Sequence, residues 1–487
     1  MDNNDISEKL LNSQLVKKSE DLKGKVYDES KKIWRVAFPG ILSRVASFGS
    51  IVVTQSFIGH IGELDLAGYA LVQTLLVRFV NGVLIGMSSA TETLCGQAYG
   101  AGQYYMMGIY LQRSIVVELV TMTILLPFFL FGTQLFRLLG EQEAIASSAG
   151  NIALWFIPFD YSFVFSMSIQ MYLQAQQKNT IVAWLATAQF IIHVPLSWLL
   201  VSKLKLGVPG AMTALTISSW FTVIGEFVFI LGGWCPDTWR GFTTAAFKDI
   251  LPVIKLSIAS GLMLCLELWY NAVLVLLAGY MKNAEVAISA FSICLNVNSW
   301  IFMITLGLVG AACVRVANEL GRGDAKAAKF SIKVLVATSV VIGLFFMIIS
   351  LAFKKNIGSL FSNEKEVVDA VSDLSFLSAV SILLNSFYAV LSGVAIGAGL
   401  QSTVAVINLC CFYVIGVPIG ALLGYVAHFE VKGIWVGMIC GVVSLSLALF
   451  YMTWRTNWDN EVAKAKQRLQ KFYLNCEAEP NETPLLA

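Results

Sequence analysis

Twelve long apolar runs, each about as long as a helix needs to cross a bilayer, constrain this chain more than anything else in it. A helix rises about 1.5 Å per residue, so roughly 20 mostly apolar residues cover the hydrocarbon core. Such runs fall near 34–59, 66–92, 106–136, 144–174, 180–202 and 209–232. Six more fall near 251–280, 286–314, 330–353, 368–398, 403–426 and 433–455. Short connectors such as Leu206-Gly207-Val208-Pro209-Gly210 fit helical hairpins. Of the 487 residues only 13% are charged, against about a quarter in an average soluble domain. The expected solvent for this chain is lipid, and the expected fold class is an all-α polytopic membrane protein.

Charge sets the orientation. Twelve spans put both chain ends on one side, and that side collects 23 of the 33 Lys and Arg residues. The opposite loops carry 8, and Arg44 and Arg78 fall inside spans. By the positive-inside bias the termini are cytosolic. The first 30 residues are polar and contain no apolar signal-peptide core, so the first span is expected to act as its own insertion signal.

Several function classes are disfavoured. A net charge of +2 and the lack of a basic patch interleaved with aromatics point away from nucleic acid. Nine cysteines without a CxxC, and three well-separated histidines, give no metal-ligand spacing or disulfide framework. No HExxH or GxSxG occurs. Neither an enzyme nor a cofactor is expected.

The two sets of six spans repeat. Sliding by 221 residues lays Gly100-Ala101-Gly102 on Gly321-Arg322-Gly323 and Gln97 on Asn318. A slide of 223 lays His193-Val194-Pro195-Leu196 on Gly416-Val417-Pro418-Ile419 and Gly210 on Gly433. Halves with an even number of spans insert in the same sense, which makes this a parallel repeat. Secondary transporters built this way place their sites between the halves. The expected organisation is a tail at 1–32, an N-lobe at 33–235, a C-lobe at 236–456 and a tail at 457–487.

The same segments resemble the plant multidrug and toxic compound extrusion (MATE) family. The resemblance rests on Glu92-Thr93-Leu94-Cys95-Gly96-Gln97-Ala98-Tyr99-Gly100-Ala101, Arg315-Val316-Ala317-Asn318-Glu319-Leu320-Gly321 and Met263-Leu264-Cys265-Leu266-Glu267-Leu268-Trp269-Tyr270. Leu391-Ser392-Gly393-Val394-Ala395 and Phe57-Ile58-Gly59-His60-Ile61-Gly62-Glu63 complete it, so that it spans the chain between its tails. It is nearest the subgroup of vacuolar flavonoid transporters. The resemblance implies two six-helix lobes around a central cavity. It also implies export of small organic solutes such as flavonoid glycosides, alkaloids or other xenobiotics, driven by protons moving the other way. The location it implies is the vacuolar membrane, with the plasma membrane as the alternative.

A carboxylate inside the membrane is costly and tends to face a cavity, find a partner or bind a proton. Glu92, Glu118, Asp160, Glu226 and Glu267 lie within spans. Glu267 matches the acid that the family associates with proton coupling; a buried carboxyl bonded to neighbouring helices is the structural alternative. Some plant relatives carry an aspartate where this chain has Asn385, which does not titrate but can bond Glu267 or a solute. Asp160, two residues after Pro158 and roughly equivalent to that region by the 223 slide, is either an N-lobe coupling acid or part of a helix kink. Glu92 is either a third coupling acid or a tie between helix ends. Arg44 and Arg78 are candidates to pair with Asp160 or Glu267, to attract an anionic solute or to face cavity water.

Pockets for organic ligands are apolar with a few polar fixers, which nominates Gln55, Trp269, Tyr270, Asn271, Asn296, Asn298, Asn385 and Tyr388 as solute contacts. Packing is the alternative for each aromatic. An anion-conducting channel or facilitator on the same scaffold is the alternative function. In the tails, 459–473 reads as a basic amphipathic helix lying on the cytosolic membrane face. Leu10-Leu11 and Leu485-Leu486 resemble sorting signals, and Asn481-Glu482-Thr483 is a glycosylation sequon.

Overall fold

Each apolar run closes its own backbone hydrogen bonds as a helix, because the hydrocarbon core offers no water to bond them instead. The computed structural model describes the backbone of residues 3–248, 250–279, 284–361 and 364–477. It describes side chains over 22–470 except at 249, 292, 362–363, 431 and most of 271–289. Among the described residues, twelve helices are long and apolar enough to span a membrane. In the first half these are α1 (Asn3–Gly59), α2 (Glu63–Gly100), α3 (Tyr104–Leu130), α4 (Glu143–Ala175), α5 (Thr180–Lys203) and α6 (Gly207–Trp234). In the second half they are α7 (Leu251–Gly279), α8 (Ala284–Arg322), α9 (Ala325–Ala352), α10 (Lys365–Ala398), α11 (Gln401–Val426) and α12 (Glu430–Arg455). A further helix, α13 (Trp458–Glu477), follows. Each expected span is present. α1 extends further back than read, its membrane-length apolar part beginning at Leu22.

The lobes meet where α2 crosses α8, near the face that carries both chain ends. Small residues four apart let the two backbones touch, since packing rather than hydrophobicity drives association in lipid. A Cβ on Gly96 would come within 2.6 Å of the Ala317 Cβ. One on Gly100 would land on the Asn318 carbonyl, and one on Gly321 would land on the Gln97 carbonyl. Gly96 with Ala317, Gln97 with Asn318 and Gly100 with Gly321 are each 221 positions apart. The crossing therefore sits on the two-fold axis of the repeat. Beyond it both helices end in the same way, with Gly102 (φ 73°) and Gly323 (φ 89°) in the left-handed region that glycine tolerates.

Among the described residues, hydrogen bonds between the lobes cluster at this terminal face. Thr93 Oγ1 donates to the Ile396 carbonyl (2.7 Å), and Gln97 Nε2 donates to Gly397 (3.1 Å). Beside them Arg315 of α8 binds Glu29 of α1 with both ends of its fork, at 2.8 and 3.1 Å. It also binds Glu319 at 2.6 Å, and Ser331 of α9 donates to Glu29 at 2.6 Å. All four are buried, and buried charges persist only when paired and bonded in this way. The segment joining the lobes bonds to the N-lobe. Gln112 and Arg113 reach the Gly241 and Ala245 carbonyls, and Tyr172 pairs with Thr238 at 2.6 Å.

The helix expected near 459–473 forms, but its apolar face meets protein rather than bilayer. Trp458 and Ala465 are buried with residues of α1, α8, α9 and α10, while Leu469 is buried with residues of α2, α3 and α4. Its amphipathic pattern is satisfied by the two lobes. The side chains of Leu10-Leu11, together with Asn481-Glu482-Thr483 and Leu485-Leu486, lie outside the described residues.

Candidate transport site

Glu267 lies in α7, where an apolar run supplies the helix and leaves a single carboxyl at mid-span. It is 9% exposed, and the Tyr388 hydroxyl of α10 donates to it at 2.7 Å. Tyr388 is itself buried. Two positions that the sequence separates into proton coupling and solute contact thus form one hydrogen-bonded pair. Asn385, one helical turn before Tyr388, is half-buried. Asn298 of α8 is buried and accepts from Ser378 of α10 at 3.0 Å.

The neighbours of Glu267 divide. Trp269 is half-exposed and lies 5.4 Å from Phe79 of α2, across the lobes. Phe48 of α1 and Trp300 of α8 meet edge-on at 4.8 Å at a second aromatic contact between lobes. Tyr270 points elsewhere: it stacks on Phe412 at 4.3 Å, and its hydroxyl reaches the Gly437 and Met438 carbonyls at 3.4 Å. That is a packing position, and Gly416 and Gly441 leave room for its ring. Gln55 and Asn296 are exposed, and the Asn271 side chain lies outside the described residues.

The N-lobe holds four buried acids in different settings. Glu92 accepts from Gln174 of α4 at 2.6 Å. Arg44 of α1 attracts it electrostatically, and Cys313 of α8 faces it. Glu92 and Cys313 are again 221 positions apart, so this pair lies on the same two-fold axis as the glycine crossing. Glu118 accepts from Ser114 (3.0 Å) and Ser168 (2.8 Å), and Glu226 accepts from Ser166 (3.2 Å). Asp160 is fully buried beside Phe156 and Phe159, and neither of its carboxyl oxygens has a hydrogen-bond partner. Arg44 therefore lies toward Glu92, and its guanidinium also contacts the Met167 sulfur at 3.4 Å. Arg78 is exposed.

One group escaped the sequence reading as a site. His193 of α5 is fully buried among hydroxyls from three helices: Thr54 (3.0 Å) and Ser197 (3.4 Å) at Nε2, and Ser218 (3.2 Å) at Nδ1. Its one signal in sequence is a histidine inside an apolar run.

This architecture and these motifs have known relatives. A model of the MatE family matches residues 39–199 and 259–422. Protein DETOXIFICATION 24 of Arabidopsis thaliana is 52% identical over 93% of this chain and 91% of its own length. Protein DETOXIFICATION 25 of the same plant is 50% identical over 98% and 97%. The crystal structure of the eukaryotic MATE transporter AtDTX14 superposes with a TM-score of 0.87 at 30% identity, covering 91% of this chain and 99% of that one. The Vibrio cholerae MATE transporter VcmN in its bent form shares the fold, with a TM-score of 0.76 at 16% identity over 91% and 99%. With twelve membrane-length helices among its described residues, arranged in the two-lobe fold, this chain belongs to the MatE family of multidrug and toxic compound extrusion transporters.

Proposed function

We propose that the chain is a proton-coupled antiporter that exports small organic solutes from the cytosol, with Glu267 as its principal coupling group. The observation that carries this reading is the buried Glu267–Tyr388 pair, which joins a titratable carboxyl to a hydroxyl on a second helix at 2.7 Å. A proton arriving at Glu267 removes the charge that makes it a strong acceptor. That changes how α7 and α10 hold each other and how the adjoining surface holds a solute. Trp269, Asn296, Asn298, Asn385 and Gln55 are the polar and aromatic groups proposed to meet the solute. Asp160 and Glu92 are proposed as secondary coupling acids in the N-lobe. The lobes correspond to 33–235 and 236–456, with tails 1–32 and 457–487 on the cytosolic side. Flavonoid glycosides and alkaloids are the proposed solute classes, and the vacuolar membrane is the proposed site.

The test is uptake of flavonoid glycosides and small organic cations into proteoliposomes, with and without an imposed pH gradient. Wild type should accumulate solute when the gradient is present, and Glu267→Gln should lose that response. Uptake that ignores the gradient and is equal in both proteins would replace the antiporter with a facilitator or channel.

A further inference from the structure

The C-terminal helix α13 is tied to both lobes at the face where they close. At one end Trp458 and Ala465 are buried, at 3% and 0% exposure, in the cluster that α8, α9 and α10 build together with Ile33, Val36 and Ala37 of α1. On the N-lobe side Leu469, at 3%, is buried with Leu94, Ala98 and Tyr110. Between these anchors the Arg468 guanidinium donates to Gln97 Oε1 of α2 at 3.2 Å and to the Ala398 carbonyl at the end of α10 at 3.4 Å. Gln97 donates in turn to Gly397. One arginine thus bridges the last turns of a helix from each lobe, next to the glycine crossing of α2 and α8. Gly399, at φ 78°, makes the space, because a Cβ there would collide with the guanidinium.

The geometry assigns α13 as an autoinhibitory clasp: docked, it holds the terminal face shut, and its release from α2 is a required step in opening that face. The assignment rests on the transport reading above, in which a solute enters from this face. Separating α2 from α8 and α10 must break Arg468–Gln97 and expose Leu469, whereas the Trp458 anchor moves with α8, α9 and α10. The clasp is therefore hinged on the cluster that the start of α1, itself tied to α8 by Glu29–Arg315, forms with α8, α9 and α10, and it unlatches from α2.

The full-length chain tests this with Arg468→Ala, Leu469→Ala and, on the exposed face of the same helix, Lys466→Ala. Amide hydrogen exchange over residues 93–100 in detergent, with no solute present, reads opening directly. Loss of one charge-assisted bond should raise exchange there by about tenfold or more, with Lys466→Ala matching wild type. Initial rates of gradient-driven uptake of a fluorescent flavonoid glycoside should rise in the same two variants. Leu469→Ala carries the test if Arg468→Ala does not fold. Exchange equal to wild type in the folded variants overturns the clasp. Absence of uptake in every protein, wild type included, counts against the transport reading, and exchange still decides the clasp.

Discussion

Gly100 and Gly321 each give up the volume of a side chain to the carbonyl oxygen of the residue three before the other, Asn318 in one case and Gln97 in the other. The contact is reciprocal because the two halves of the chain are repeats. Gly100→Ala and Gly321→Ala should therefore destabilise to a similar degree, by about 1–3 kcal/mol each as overpacking does. The double variant should cost less than the two together, since the first already pushes the helices apart. Thermal unfolding of the four proteins in one detergent gives the comparison; strictly additive losses would mean that the sites do not share one interface.

The Tyr388 hydroxyl bonds Glu267 from a neighbouring helix, so Tyr388→Phe keeps the ring and removes only the donor. Gradient-driven uptake should fall by about tenfold, the equivalent of one hydrogen bond to a charged group, and less than it falls in Glu267→Gln. Unchanged uptake in a folded Tyr388→Phe would remove the hydroxyl from the coupling path.

Asp160 has no bonding partner for either oxygen, and such a group is destabilising where it stands. Asp160→Leu should raise stability by about 1–3 kcal/mol, read as a higher melting temperature. The same variant should lose gradient-driven uptake if the proposed secondary role holds. Full uptake with a raised melting temperature would leave Asp160 a structural residue two positions after Pro158.

Arg315 holds Glu29 and Glu319 together in a buried site. Arg315→Ala removes the cation between the two carboxyls, leaving Glu29 to Ser331 and Lys32 and Glu319 to Arg322, and should cost about 3 kcal/mol. Glu29→Ala should cost less, because Arg315 keeps Glu319. A melting series in detergent ranks the two, and the reverse order would show that Glu29 rather than Arg315 centres the network.

Cys313 is fully buried behind the terminal face. Site-resolved maleimide labelling should modify it far more slowly in the folded protein than after unfolding in denaturant. Added solute should accelerate labelling of Cys313 if transport opens the terminal face. A Cys313 rate indifferent to solute would argue that this face stays shut.

Much of the fold was legible because a membrane span is written in one property, the length of an apolar run. The glycine motifs at 96–102 and 321–323 gave the repeat because a close helix crossing tolerates few side chains. Glu267 stood out because a lone carboxyl in such a run needs a reason. Its partner did not, since Tyr388 lies 121 residues away and nothing local marks the pairing. The setting of Tyr270 was equally hidden: side-chain direction depends on how α7 meets α11 and α12, which composition does not encode. The docking of α13 was misread because an amphipathic helix suits a membrane surface and a protein groove equally well.

The position of Glu92 against Cys313 has a consequence for how the two halves diverged. Residues on a two-fold axis meet their own copies, so an unmodified duplication would press two identical side chains together. Two facing carboxylates in a dry interface would repel and have to share a proton. Fusing both copies in one chain lets each side of the axis mutate alone. Here one side carries the acid and the other a thiol. The seam between the lobes thereby holds one titratable carboxyl instead of two, an asymmetry that a symmetric dimer of separate halves has no way to encode.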